Sequence, residues 1–282
     1  VTFYDFTLSA ADVAVVFAAE SVAGGGGGLA VVYQFAGNAD DGVGTNHGVV
    51  TGGATRVGRA ISLALAAQNA AVAIHYRSSD VEAREVAELI SQSGGRVRCF
   101  QADLSDPAQI DSLIPNVIDQ FGNLNVLINS ASVYAHGDLV TTTRDDWEQN
   151  MTVHGWAPFR LAQMMIAALG DAPGKVININ DAKLVKPNRF AYGVSKASLT
   201  AITRSLAAAV GPNVQVNQVA LGAILPPSDL AEDRIAAIAR TVPAQRWGHP
   251  DDVTSAIINL IESDYISAET IHIDGGSNGT LG

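Results

Sequence analysis

The chain has 282 residues, 48% of them hydrophobic, and it carries 17 Lys and Arg against 28 Asp and Glu, for a formal net charge of −11 at pH 7. This length accommodates one large α/β domain with a substantial core. The acidic balance and the scattered basic residues argue against a nucleic-acid partner. No run of about 18 uncharged apolar residues predicts a membrane-spanning helix. The single cysteine, Cys99, excludes an internal disulfide and favours a cytoplasmic setting.

Residues 1–47 differ in composition from the rest of the chain. They contain no Lys or Arg, and an uninterrupted glycine run extends from Gly24 to Gly28. A secretory signal would need a positively charged start, and a glycine run is typical of a flexible linker. We therefore expect residues 1–47 to be a poorly ordered extension and residues 48–282 to form a single folded domain.

A glycine-rich turn follows the first short apolar strand. Val49 and Val50 end that strand, and the segment Thr51–Gly58 (TGGATRVG) leads into a helical pattern over Ala60–Ala67. Backbone N–H groups in such a strand-to-helix turn approach a pyrophosphate at the start of the helix. The turn therefore predicts a dinucleotide site, although the more familiar pattern has glycine where this chain has Arg56. The alternative is an ordinary tight turn.

From Gly48 onward, apolar strand patterns alternate with amphipathic helix patterns. Strands are predicted over Ala71–Tyr76, Arg96–Gln101, Asn125–Asn129, Lys175–Asn180, Val214–Ala220 and Thr270–Ile273. Helices are predicted over Asp80–Ser91, Pro107–Phe121, Asp145–Leu169, Tyr192–Val210, Asp229–Val242 and Asp251–Ile261. This alternation predicts an α/β fold, a three-layer doubly wound parallel sheet of the Rossmann-like kind, whose ligands bind beyond the carboxyl ends of the strands.

Tyr192 and Lys196 lie four residues apart at the start of a predicted helix, so their side chains share one face. An ammonium beside a phenol favours the ionised phenol and lowers its pKa, which makes the hydroxyl useful for proton transfer near neutral pH. A tyrosine and a lysine at this spacing also occur by chance in many helices. The dinucleotide turn upstream favours the functional interpretation.

Together these motifs resemble those of the short-chain dehydrogenase/reductase family over about residues 48–282. The resemblance depends on Thr51–Gly58, Asp103, Asn129–Ala131, the Tyr192/Lys196 pair and Asp274–Gly276. The cofactor contacts that it implies are Thr51, Gly52, Arg56, Val57, Gly58, Tyr76, Arg77, Ser78, Asp103, Leu104, Asn129, Ser130, Ala131, Tyr192 and Lys196. It also implies a homo-oligomer, usually a tetramer, built on the helices that resemble Asp145–Leu169 and Tyr192–Val210.

Within the family, three features are similar to pteridine reductases and their dihydromonapterin-reductase relatives. Arg56 replaces a glycine, Asp181 stands where most members have serine, and Ser132 is followed by the aromatic Tyr134. The resemblance implies that Asp181 assists Tyr192 in moving a proton, and that Arg56, Ser132 and Tyr134 hold a flat heterocycle. The alternatives are a surface arginine, a turn-capping aspartate and a loop tyrosine.

The chain also departs from the family pattern. Eleven positions separate Asp181 from Tyr192, where the family usually has thirteen, so the intervening loop is two residues shorter. His154 stands where the family has a structural asparagine on the long helix, and it is a minor candidate for a water relay.

The residues after the second predicted strand address the choice of cofactor. The segment His75–Ser79 contains Arg77 and Ser78 and no acid. NAD binders place an acid at this point to accept from the ribose hydroxyl, whereas an arginine accommodates a 2′-phosphate. The sequence therefore predicts NADPH. The six histidines have no zinc-like spacing, so no metal site is predicted.

The resulting hypothesis is an NADPH-dependent oxidoreductase that transfers hydride to a C=N bond of a pteridine-like small molecule, with Asp181, Tyr192 and Lys196 catalytic. One alternative is a short-chain carbonyl reductase acting on a ketone such as a 3-oxoacyl thioester. Another is a non-catalytic NADP(H)-binding protein, which would have no need of a tuned phenol. The Pro-containing segment Gly222–Arg234 is expected to close over the site and to govern substrate specificity.

Overall fold

A parallel sheet of seven strands runs through residues 46–279, which are the residues that the computed structural model describes. The strands are β1 (His47–Val50), β2 (Ala71–Tyr76), β3 (Val97–Gln101), β4 (Val126–Asn129), β5 (Gly174–Asp181), β6 (Val214–Leu221) and β7 (Thr270–Ile273). They are ordered β3-β2-β1-β4-β5-β6-β7, and every adjacent pair is parallel. The order changes direction between β1 and β4, which is where such sheets bind ligands.

Helices cover both faces of the sheet. They are α1 (Arg56–Ala67), α2 (Asp80–Gln92), α3 (Pro107–Phe121), α4 (Arg144–Met151), α5 (Ala157–Leu169), α6 (Phe190–Val210), α7 (Glu232–Thr241) and α8 (Pro250–Glu262). Apolar residues of α1, α2 and α8 form one buried cluster, and those of α3, α5 and α6 form a second. The predicted three-layer, doubly wound fold is therefore confirmed. No helix within residues 46–279 combines the length and apolar character that crossing a membrane requires.

The predicted long helix over Asp145–Leu169 contains a local change of helix type. A π-helical turn over Thr152–Trp156 separates α4 from α5. Pro158 lies in the first turn of α5 and has no backbone N–H to donate to the preceding turn. Such π turns inside helices are frequent at functional sites.

The start of the domain differs slightly from the expectation. The predicted extension lies outside the described residues except for Asn46 and His47, and His47 is the first residue of β1. Its backbone N–H donates to Asn125 Oδ1 at 2.8 Å, and Asn125 Nδ2 donates to Asn46 Oδ1 at 2.9 Å. These bonds fasten the beginning of β1 to the segment before β4, so the folded domain includes both residues.

Four buried amides, here called the amide ladder, cross the centre of the sheet: Asn129, Asn178, Asn180 and Gln218. Asn129 Nδ2 donates to Asn178 Oδ1 at 2.8 Å, and Asn180 Nδ2 donates to Gln218 Oε1 at 3.0 Å. The same Asn180 amide donates to the backbone oxygen of Lys196 at 3.1 Å. The ladder therefore ties the strands to one another and holds α6 against β5.

Candidate active site

The structure brings Asp181 and Tyr192 into contact at the carboxyl edge of the sheet. Asp181 is the last residue of β5, and Tyr192 lies in the first turn of α6 with 7% of its surface exposed. The Tyr192 hydroxyl donates to Asp181 Oδ2 at 3.0 Å. The loop that is two residues shorter than usual therefore still permits the Asp–Tyr pair.

Two residues of that loop, Lys186 and Lys183, also contact the Asp181 carboxylate. Lys186 Nζ lies 2.8 Å from Oδ2, and the backbone N–H of Lys183 donates to Oδ1 at 2.8 Å. Lys186 is one of the residues that the sequence did not single out. Because both oxygens of Asp181 have partners, the carboxylate is fixed in position beside the phenol.

The pKa of the Tyr192 hydroxyl is raised in this structure, and the expectation that Lys196 lowers it was wrong. Burial of the ring is the largest cause, followed by the negative charge of Asp181 and the hydrogen bond to it. Lys196 Nζ is 6.0 Å from the centroid of the Tyr192 ring and donates to the backbone oxygen of Ile179 at 2.8 Å. The hydroxyl is consequently protonated at neutral pH and available to donate, although the raised pKa also makes it a weaker acid.

Lys196 is almost completely buried. Burial lowers the pKa of its ammonium to about 8, and the charge of Asp181 opposes that change. At pH 7 the group is still largely protonated, so it supplies a positive charge behind the Tyr192 ring.

His154 is buried in the π-helical turn and connects two parts of the site. Its Nδ1 lies 2.8 Å from Ser195 Oγ, which itself donates to the backbone oxygen of Tyr192 at 2.8 Å. Its Nε2 accepts from the backbone N–H of Val133 at 3.2 Å and lies 3.0 Å from Ser132 Oγ. These partners place the ring proton on Nδ1. Burial, and secondarily the charge of Lys196, lowers the pKa of His154 to about 2.

Tyr134 stands at the mouth of the site. Its ring meets the Tyr192 ring edge-on, with centroids 4.8 Å apart, and 55% of its surface is exposed. The Arg189 guanidinium lies 3.7 Å from the Tyr134 ring centroid. Arg189 was also missed from the sequence; the available indication was the segment Ala182–Arg189, which contains three basic residues and no acid directly before Tyr192.

A cleft at the switch point accounts for many of the predicted cofactor contacts. This cavity of about 190 Å³ is lined by Gly52, Tyr76, Arg77, Ser78, Asp103, Leu104, Ala131 and Ser132, among others. Hydrogen bonds from Ser105 lower the pKa of Asp103, and the charge of Arg77 adds to this effect. The predicted contacts of the adenosine side therefore surround one space.

Other predicted cofactor residues support the cleft rather than line it. Thr51 Oγ1 accepts from the backbone N–H groups of Ser130 and Ala131, at 2.9 and 3.0 Å, and Asn129 belongs to the amide ladder. A side chain on Gly58 would collide with the backbone oxygen of Gly52.

The glycine turn fits a closely approaching dinucleotide. Gly52 has φ of +64°, which favours glycine, and a Cβ built there would lie 3.1 Å from the Ala131 Cα. A side chain at this position would therefore crowd the floor of the cleft. The turn leaves its backbone open at the point where a pyrophosphate would lie.

His75 organises this turn and was not predicted as a site residue. Its Nδ1 accepts from the backbone N–H of Gly52 at 3.1 Å, and its backbone oxygen accepts from Gly53 N–H at 2.9 Å. The other ring nitrogen donates to the backbone oxygen of Ala102 at 3.0 Å. Burial lowers the pKa of His75 to about 4, against smaller opposing effects of Ala102 and Asp103. A polar residue inside the apolar run of β2 was its only indication in the sequence.

Arg56 does not line the cleft but crosses to the segment after β6. Its Nη2 donates to the backbone oxygen of Leu225 at 2.6 Å, which anchors the predicted specificity segment Gly222–Arg234 to the start of α1. Arg56 has φ of +49° and Leu225 has φ of +52°. A residue with a side chain in this left-handed region costs about 1–3 kcal/mol, so both ends of the bond are strained.

The strain at Arg56 leads to a test with paired variants. Arg56→Ala and Arg56→Gly both remove the bond to Leu225, but only glycine relieves the left-handed backbone. We expect the glycine variant to exceed the alanine variant by about 1 kcal/mol in free energy of unfolding. Urea unfolding measures this difference, and an alanine variant as stable as the glycine variant would contradict it.

The parallel sheet, the glycine turn at its switch point and the buried Tyr–Lys pair beside that turn define a dinucleotide-dependent oxidoreductase. Residues 52–278 match the family described as Enoyl-(Acyl carrier protein) reductase. The chain belongs to the short-chain dehydrogenase/reductase family.

Three relatives illustrate its similarities. FolM Alternative dihydrofolate reductase 1 from Brucella canis, crystallised with NADP, is 32% identical with a TM-score of 0.79, and the match covers 84% of this chain and 96% of that chain. A short chain dehydrogenase from Burkholderia cenocepacia, crystallised with NADP, is 31% identical with a TM-score of 0.77, and the match covers 83% of this chain and 98% of that chain. The 3-oxoacyl-(acyl-carrier-protein) reductase FabG of Salmonella typhimurium is 30% identical over 236 residues, 81% and 95% of the two chains.

Proposed function

We propose that this protein is an NADPH-dependent reductase that reduces a C=N bond of a pteridine-like ring. The observation that carries the proposal is the hydrogen bond from Tyr192 to Asp181, since a carboxylate at this position suits a ring nitrogen better than a carbonyl oxygen. The similarity to the FolM dihydrofolate reductase supports the same substrate class.

The cofactor assignment has two supports. Arg77 and Ser78 line the cleft at the end of β2, where a guanidinium would pair with a 2′-phosphate. Two of the similar structures were solved with NADP. Gly52, Asp103 and Leu104 would contact the rest of the nucleotide, while Thr51 and Gly58 would keep the turn in shape.

The chain's own residues supply the proton chemistry. NADPH, when bound, provides the hydride. Tyr192 holds a proton on a hydroxyl that is hydrogen-bonded to Asp181, and Tyr192 would be the proton donor. Asp181 orients that hydroxyl and would pass a proton from solvent to the phenolate that is left after Tyr192 donates, while the Lys196 ammonium lies 6.0 Å from the Tyr192 ring centroid. Tyr134 would stack on the ring, with Ser132 and Arg56 limiting its position.

Ketone reduction is the second candidate because of the similarity to FabG. It would use the same Tyr192 and Lys196, with the carbonyl oxygen taking the proton. A third candidate, NADP(H) binding without catalysis, has weaker support, because a binding module would gain nothing from the buried Asp–Tyr–Lys arrangement.

An NADPH-oxidation panel separates these candidates. We expect kcat/KM for a dihydropteridine to exceed that for a 3-oxo ester by at least about tenfold. The reverse order would favour the ketone reductase, and turnover near the uncatalysed rate with every substrate would favour the non-catalytic protein. The panel should include dihydrobiopterin, dihydrofolate, acetoacetyl-CoA and ethyl acetoacetate.

We also propose a homo-oligomer, a tetramer by resemblance to the family. Trp147 on α4 and Trp156 in the π-helical turn are 39% and 48% exposed, and they flank a groove that also includes Ile202 of α6. Exposed aromatic residues of this size suit a protein interface. These helices are the ones that the resemblance assigns to the contacts between subunits.

A further inference from the structure

Arg189 is the residue immediately before α6, and the Tyr134 ring lies in contact with both Arg189 and Tyr192. Its guanidinium covers the Tyr134 ring at 3.7 Å, and that ring meets Tyr192 edge-on at 4.8 Å. Its positive charge acts on Tyr192 and partly offsets the rise in the pKa of the hydroxyl. Arg189 is therefore beside the reacting groups and at the mouth of the site.

Two hydrogen bonds hold the Arg189 guanidinium in place and leave further N–H donors available. One terminal nitrogen donates to the backbone oxygen of Tyr134 at 2.9 Å, and the other donates to His136 Nε2 at 2.9 Å. A guanidinium has five N–H donors in a fixed plane, so three remain after these two bonds. Because His136 Nε2 accepts, the proton of that ring is on Nδ1, which is a further donor beside Arg189.

The charge of Arg189 has no carboxylate partner within residues 46–279. The salt bridge from this loop to Asp181 is made by Lys186, not by Arg189. The loop Ala182–Arg189 contains three basic residues and no acid, in a chain whose net charge is −11. The three basic residues of this loop therefore attract an anion to the mouth of the site.

Two loops form a preorganised base for this guanidinium. The backbone N–H of Gly137 donates to the backbone oxygen of Asn188 at 3.2 Å, and the backbone N–H of Phe190 donates to the backbone oxygen of Gly137 at 2.7 Å. These bonds join the loop after β4, which carries Tyr134 and His136, to the loop after β5. An anion bound here would require little ordering of the protein, which favours affinity.

We infer that Arg189 binds an anionic group, a carboxylate or a phosphate, on the part of the substrate that extends out of the site. The inference rests on the proposed function, which assigns the reducible ring of the substrate to the space beside Tyr192 and Tyr134. The inference adds that the anionic tail of the substrate contacts Arg189 and His136. The substrate class that follows is a reducible ring carrying an anionic tail. A carboxylate would accept a bidentate pair of hydrogen bonds from the guanidinium.

The test compares two pterins that share the reducible ring, dihydrofolate with an anionic tail and dihydrobiopterin with a neutral one. Arg189→Met should raise the KM for dihydrofolate relative to that for dihydrobiopterin by about tenfold or more, because a charge-assisted bond is worth at least that factor. Arg189→Lys should restore part of the difference. Arg98→Met is the matched control, since Arg98 is exposed on β3, four strands away from β5.

The outcomes separate the inference from the proposed function. An equal rise in KM for both pterins would show that Arg189 only supports Tyr134. An unchanged KM for both would show that Arg189 does not contact the substrate. Either result overturns the inference. If neither pterin is reduced, the proposed function fails. Acetoacetyl-CoA and ethyl acetoacetate then provide the charged and neutral pair, and a loss confined to acetoacetyl-CoA upholds the anion contact with phosphate as its source. If no substrate is turned over, equal affinity of the parent and Arg189→Met for folate overturns the inference.

Discussion

Replacing Tyr192 by phenylalanine is expected to reduce kcat by about 10³-fold and to leave the affinity for NADPH within about twofold. The phenol is the group that holds a transferable proton next to Asp181, and phenylalanine retains the ring while removing that proton. The cleft that fits the dinucleotide is lined by other residues, so binding of the cofactor should persist. Steady-state kinetics with the best substrate of the panel and fluorescence titration with NADPH measure the two quantities.

Tyr265→Phe is the control for this experiment, because Tyr265 is fully exposed and distant in sequence from the site. It should leave both quantities unchanged. A Tyr192→Phe variant that loses cofactor affinity as strongly as turnover would mean that the hydroxyl serves binding, and full retention of turnover would end the proposed role of Tyr192.

Acid should destabilise the protein through two buried neutral histidines, His75 and His154. Their pKa values are lowered from 6.5 to about 4 and about 2, in both cases chiefly by burial. The folded-state pKa lies below the unfolded value, so the unfolded chain binds more protons as pH falls below 6.5. The stability is therefore complete above pH 6.5 and decreases below it, by about 3 kcal/mol for each histidine at pH 4.

Urea unfolding at pH 7 and at pH 4 measures this loss, and the variants His75→Asn and His154→Asn assign it. Asparagine is neutral at both pH values, so each variant should be less stable at pH 7 but should lose less stability on acidification than the parent. His272→Asn is the control, since His272 is exposed. Identical pH dependence in parent and variants would mean that neither histidine is responsible. The charged groups near them are Lys196 and Asp103.

The fold was predictable from the sequence because its strands are continuous apolar runs and its helices have a clear apolar face. All the strands and helices lie within a few residues of their predicted positions, and the largest differences have local causes. Helix α1 begins at Arg56 rather than at Ala60, because the turn ends in a left-handed residue that directly starts the helix. The π-helical turn at Thr152–Trp156 was not predictable, since it depends on how Pro158 and His154 pack.

The site was only partly predictable. Tyr192 and Lys196 were found from their spacing at the start of a predicted helix, and Asp181 from the resemblance to pteridine reductases; strand ends and helix starts meet at one edge of a parallel sheet. The direction of the Tyr192 pKa change could not be predicted, because it depends on the depth of burial and on whether Asp181 or Lys196 is nearer to the hydroxyl. Arg56 was expected at the cofactor and instead bonds Leu225, since a long side chain in a strained turn is directed by its backbone.

The amide ladder has a consequence for how the strands find their alignment. Burying an amide in an apolar layer is costly unless it is hydrogen-bonded, and sliding one strand by a single residue would turn its amides toward the opposite face and break their hydrogen bonds. Misaligned sheets are thereby penalised far more than they would be in an all-aliphatic core. Because Asn180 also holds the backbone of Lys196, the alignment that satisfies the amides is the same one that sets the proton-transfer groups at their working distances. A redesign that replaced these amides with aliphatic side chains would keep an apolar core but would no longer specify a single strand register.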